Sequence, residues 1–124
     1  MRRMLSNALI ACTLLSSSAF GQRYYERPIP DRSLFDHVRA DLDRASNYPY
    51  ASRSDRKRFD EARRELFDFE ARFDRGIFEK RELDHAIDRV QNVVSHNSLD
   101  PRDRGALDED LRRMRDFRAW RSSR

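Results

Sequence analysis

Between Ser52 and Phe73 the apolar residues Phe59, Ala62, Leu66, Phe69 and Phe73 return at alternating steps of three and four. On an α-helix this spacing draws one narrow stripe, which is stable only when buried against other helices. Arg56, Asp60, Arg64, Asp68 and Arg72 step by four with alternating sign on the opposite face. They predict a solvent-side ladder whose pairs contribute about 0.2–0.5 kcal/mol each. The pattern predicts a helix over about 52–75, and three more stripes follow the same rule. Leu34, Phe35, Val38, Leu42 and Ala45 predict a helix over about 32–46. Leu83, Ala86, Ile87, Val90, Val93 and Val94 predict one over 79–95, the broadest stripe and so the most enclosed. Leu107, Leu111, Met114 and Phe117 predict one over 101–119, with Trp120 onwards fraying.

The residues between the stripes supply starts and stops. Asp31 stands where an N-cap is expected, and Ser52 with Asp55 three residues later forms close to a capping box. Asp100 followed by Pro101 is a helix start with proline at the first helical position. Pro49 disfavours helical backbone at Tyr48, Gly76 ends the second helix, and Asn97-Ser98 turns the chain before the fourth.

The two halves resemble each other at a shift of 48 residues. Asp36-His37 then meets Asp84-His85, Asp55-Arg56 meets Asp103-Arg104, and Asp60-Glu61 meets Asp108-Glu109. Arg64 falls on Arg112, Asp68-Phe69 on Asp116-Phe117 and Ala71 on Ala119, while the caps Ser52 and Asp100 align. A repeat of this length is one supersecondary unit. The expected fold is therefore all-α, an antiparallel four-helix bundle built from a duplicated αα-hairpin over residues 31–124. Roughly 18 buried side chains, at about 1.5–3 kcal/mol each, hold such a domain together without a cofactor.

The first 21 residues read differently. Arg2 and Arg3 precede an apolar run from Leu5 to Leu15, and Ala19-Phe20-Gly21 offers small residues to a signal peptidase, so cleavage is expected before Gln22. The run is too short and interrupted for a transmembrane span, which needs about 20 apolar residues. Residues 22–30 carry Pro28 and Pro30 without periodicity and predict an extended leader. Leu9-Ile10-Ala11-Cys12 resembles the lipobox of bacterial lipoproteins, which would make Cys12 a lipidated first residue. Its early place, with apolar residues continuing after it, favours plain cleavage. Export is the expectation, to the periplasm or the medium.

Cleavage alters the chemistry left to the chain. Cys12 is the single cysteine, so the mature protein has neither disulfide nor thiol site. The net charge of +4 falls to +2 once Arg2 and Arg3 leave, and most basic residues sit one helical turn from an acid. The summed field is too weak for nucleic acid. The imbalance is local: Arg112, Arg113, Arg115, Arg118 and Arg121, with Trp120 among them, form a candidate surface for an anionic partner.

Candidate metal ligands are scattered. His85 and His96 lie 11 residues apart, about 16 Å along a helix, and cannot share an ion through it. His37 and Asp41 are four apart and within reach of each other. A zinc site wants three or four protein ligands, and no metal site or cofactor is assigned. Around Gly76 the chain resembles the back half of an EF-hand loop, with Gly76, Phe78 and Glu82 at its glycine, apolar and last-acid positions. Ala71, Phe73 and Arg75 replace the earlier ligands, so Glu82 is left nearly alone to hold calcium.

Catalysis finds little support: there is no phosphate-binding glycine loop and no nucleophile motif, and each carboxylate has a basic neighbour expected to keep it ionised. Ala51-Ser52-Arg53-Ser54-Asp55 and Leu99-Asp100-Pro101-Arg102-Asp103 occupy slots that resemble the two Leu-Thr-x-x-Gln repeats of the Spy/CpxP group of small periplasmic helical proteins. Asp replaces the Gln in both. The resemblance implies an extracytoplasmic chaperone or stress-linked binding protein. The expectation overall is an exported, non-enzymatic binding or structural module with a protein partner; a homodimer through the narrow stripe of the second helix and an ion-binding module are the alternatives.

Overall fold

The structure is a computed structural model and describes residues 31–123; the signal segment 1–21 and the leader 22–30 lie outside the described residues. Four helices follow in order: α1 Asp31–Ala45, α2 Arg53–Phe73, α3 Lys80–His96 and α4 Pro101–Ser122. Ser52 caps α2 as its sequence predicts, its Oγ accepting from the Asp55 N–H while Asp55 Oδ2 accepts from the Ser52 N–H, both at 3.1 Å. The Arg102 N–H donates to Asp100 Oδ1 at 2.9 Å at the start of α4. The helix α1 begins on Asp31 itself, the residue expected to precede it.

The side-chain contacts fix the topology. Phe35 near the start of α1 meets Phe69 and Phe73 near the end of α2, while Asp43 near the end of α1 meets Arg63, so these two helices run antiparallel. Arg72 reaches Glu79 and Glu82, and Glu61 reaches Arg89, reversing direction again between α2 and α3. Asp84 pairs with Arg118 and Val94 accepts from Arg104, which turns α4 against α3. Phe35 meets Phe117 at 5.5 Å, and Asp41 lies beside Asp110, so α4 also runs antiparallel to α1 and closes the ring. Helices α2 and α3 pack most extensively and α1 against α2 least.

Every stripe position named from the sequence is buried except Phe73, which is half-buried against the core. The seam of α2 is used within the chain, between α1 and α3. The charged ladder stays exposed as expected, but its partners differ: Asp60 takes Arg63 three residues on, and Arg72 crosses to α3.

The two ends of the bundle are chemically unlike. At one, Phe35, Phe69, Phe73, Phe78 and Phe117 meet in edge and stacked contacts with centroids 4.9–6.4 Å apart. The Arg121 guanidinium lies 4.8 Å from the Phe78 centroid and 5.7 Å from that of Phe73. This cation–π contact accounts for α4 continuing to Ser122 instead of fraying after 119. At the other end, buried Asn97 donates to the Asp55 carbonyl at 3.0 Å and accepts from Arg58 at 3.1 Å, tying the turn after α3 to the first turn of α2. Burial raises the Asp55 pKa, but the N–H groups of Ser52 and Ser98 outweigh it and hold the carboxylate below its ordinary value.

Gly76 ends α2 with φ +86°, its N–H donating to the Phe73 carbonyl at 2.9 Å while the Ile77 N–H donates to Arg72 at 3.0 Å. This is the Schellman arrangement, which places a glycine in the left-handed region. A Cβ there meets nothing within 4 Å, so the conformational strain acts alone. Gly76→Ala should lower stability by about 1–2 kcal/mol in urea denaturation, without loss of helix content.

Candidate functional site on the seam between the first and last helices

Asp41 and Asp110 face each other where α1 meets α4. Each occupies a place on an apolar stripe: Asp41 comes three residues after Val38 and four before Ala45, and Asp110 three after Leu107 and four before Met114. Helical geometry therefore turns both inward, and they are 3% and 1% exposed. Asp41 Oδ1 accepts from Arg44 Nη1 at 2.8 Å. Asp41 Oδ2 and Asp110 Oδ2 are buried and take no hydrogen bond from a third residue, so a proton between the two carboxyls is what links them. His37 stands one turn before Asp41 with its Nε2 3.5 Å from Asp41 Oδ2, its side chain 58% exposed at the rim. One ligand-type atom from each of the three residues lies within 4.8 Å of the other two.

Two buried carboxylates this close cannot both be charged at little cost. Burial first, and then the hydrogen bond and negative charge of Asp41, push the Asp110 carboxyl up to about 8 against the pull of Arg113. For Asp41, burial pushes upward, but the hydrogen bond to Asp110, Arg44 and the His37 charge outweigh it and keep its pKa low. The pair thus holds one proton at neutral pH, shared between the two carboxyls and drawn toward Asp110. This corrects the expectation that a basic neighbour keeps every carboxylate ionised: Arg113 is engaged by Glu109 at 3.2 Å, on the outer side of α4.

The other sequence candidates are placed elsewhere. His85 borders a shallow groove of about 450 Å³ on the α2–α3 side, lined also by Glu65, Asp88, Arg89, Gln91 and Asn92. His96 is exposed, with Nδ1 3.2 Å from the Asn92 carbonyl. Glu82 pairs with Arg72 at 3.2 Å and lies within 4.8 Å of the acids Glu65 and Asp68 of α2, while Phe73, at a ligand position of the EF-hand resemblance, packs against the aromatic core. The six residues of the arginine-rich end each have a partner within the chain. Arg112 and Arg113 meet Glu109, Arg115 donates to Gln91 at 2.6 Å, and Arg118 meets Asp84. Arg121 covers Phe73 and Phe78, and Trp120 lies 6.0 Å from Phe117 with 37% of its surface exposed.

Sequence reasoning missed Asp41 as half of a pair and Asp110 altogether. The signal was present, since an acid on an apolar stripe is out of place, and the 48-residue register sets Ala62 against Asp110. No helix of the described residues is long and apolar enough to cross a membrane. Comparison with protein-family models, with curated proteins and with solved structures gives no match to this chain.

Proposed function

We propose that this chain is an exported, non-enzymatic helical protein that works as a binding module, with the α1–α4 seam as the part on which binding acts. One observation carries the reading: two acids are buried against each other at stripe positions that an apolar residue would fill at lower cost. Replacing buried charged groups by well-packed apolar ones is often neutral or stabilising by about 1–4 kcal/mol. A bundle selected only to stand up gains nothing from Asp41 and Asp110.

Export rests on the segment before Gln22, and a protein partner on the absence of any reaction chemistry in the sequence motifs. Native mass spectrometry of the protein recovered gently from the envelope or medium of its host tests both. A chain starting at Gln22 that retains a bound protein or ion supports the proposal; a bare, full-length chain confined to the cytoplasm overturns it. A second reading, a chaperone of the Spy/CpxP kind, draws on Ser52 and Asp100, which cap helices at the two slots that resemble that group's repeats. It requires that an aggregating client protein stay soluble at an equal ratio of this chain, followed by light scattering.

A further inference from the structure

The seam combines two chemical demands that one kind of ligand meets. Asp41 Oδ2 and Asp110 Oδ2 are enclosed, no third residue donates to either, and the residues carrying them are nine-tenths or more buried. An imidazole nitrogen completes a group of three ligand-type atoms within 4.8 Å, supplied by two helices. His37 and Asp41 reach the same point because they are one turn apart on α1, and Asp110 arrives from the antiparallel α4.

We infer that His37, Asp41 and Asp110 form a site for a divalent transition-metal ion of the zinc class, with water completing the coordination on the exposed His37 side. The inference rests on the reading of the seam as the binding element and names what binds there. Ligand type selects the ion. One imidazole nitrogen and two carboxylate oxygens suit zinc, whose bonds to such atoms run about 2.0–2.2 Å, whereas calcium and magnesium seek six or more oxygens. Tetrahedral ligands stand about 3 Å apart, so binding requires the three side chains to close in from the present spacing of up to 4.8 Å. The two carboxylates balance the ion's charge, and the proton they share leaves for solvent as it binds. Arg44, bonded to Asp41 Oδ1, holds that carboxylate with Oδ2 turned into the seam, the usual task of an outer partner in a metal site.

The repeat supplies an internal control. At a shift of 48 residues His85 matches His37, but Arg89 stands in place of Asp41 and Ala62 in place of Asp110. The matching place between α2 and α3 has neither acid, so His85 is left without the site.

The test is a titration of the chelator-washed full chain with zinc chloride at pH 7, by calorimetry and thermal melts. One ion per chain is expected, with release of about one proton seen as a buffer-dependent heat. At a hundredfold excess over the dissociation constant the melting temperature should rise on the order of 10 °C. His37→Ala, at an exposed position that spares the fold, should weaken binding at least tenfold; Asp110→Asn should abolish it; His85→Ala should leave it unchanged. Zinc that gives neither heat nor a shift overturns the inference, as does zinc whose binding is lost equally in His85→Ala. In either case native mass spectrometry of the gently recovered chain separates the two readings: a retained protein partner leaves the binding module standing without its ion, and a bare chain takes both down.

Discussion

Leu66→Asp should abolish the cooperative helical melt. Leu66 is fully buried in the middle of the α2 stripe, enclosed with Ala62 and Phe69 in the shared core. Truncating such a leucine to alanine costs about 2–5 kcal/mol, and a carboxylate in the same place adds a buried charge with no partner, a further several kcal/mol. A domain of this size has about 5–15 kcal/mol in total, so the sum consumes it. Circular dichroism against temperature reads the result directly. The control sits one residue away: Phe67 is 65% exposed, and Phe67→Asp should change stability by no more than about 0.5 kcal/mol. A native melt in Leu66→Asp would refute the stripe on which the bundle is built.

The second large effect is in pH. Asp110 releases its proton near 3.8 when the chain is unfolded and near 8 when it is folded. Between these values the folded, metal-free protein holds a proton that the unfolded chain has lost, so its stability declines as pH rises. Asp41, Asp55 and Glu109 act with the opposite sign: their pKa values are lowered on folding, and the stability they add is present above their unfolded values and lost in acid. The two trends leave a maximum near pH 5. From there to pH 8 the loss should be on the order of 2–3 kcal/mol, within the roughly 1.4 kcal/mol per pH unit that one proton allows. The groups facing Asp110 are His37, Asp41 and Arg44 from α1, and Glu109 and Arg113 from its own helix. Asp110→Asn keeps a neutral donor in place and should flatten the decline, leaving the variant more stable than the native chain at pH 8. Urea midpoints across this range measure it, and a native protein that gains stability from pH 5 to 8 would contradict the protonated pair.

The apolar spacing of three and four was enough to name the core of all four helices, because each stripe needs no information beyond its own helix. Caps at Ser52 and Asp100 were legible for the same reason, being bonds between residues two or three apart. The seam was not legible in full. Asp41 and Asp110 are far apart in sequence and acquire meaning only when the ring closes and α4 returns beside α1. Asn97 is a similar case: as part of Asn-Ser it reads as a turn, yet its side chain is buried and bonds to the start of α2. The charged surface was read correctly as exposed but not in its pairings, since an arginine on a helix surface has partners three residues on, four residues on and across the groove at nearly equal energy.

The meeting of Phe35 with Phe117 places the start of α1 and the end of α4 at the same end of the bundle, beside the turn that joins α2 to α3. The passage from α4 to α1 is therefore spatially equivalent to the passage from α2 to α3, which the chain makes in about six residues. Topologically the helices form a closed circle with no privileged first member. A chain cut at the Gly76 turn and joined from Ser122 to Asp31 would present the helices in the order α3, α4, α1, α2, with the two hairpins exchanged and the same contacts remade. By the same geometry, anything fused to either edge of the bundle stands at the aromatic pole, leaving the Asp55–Asn97 pole facing away from the attachment.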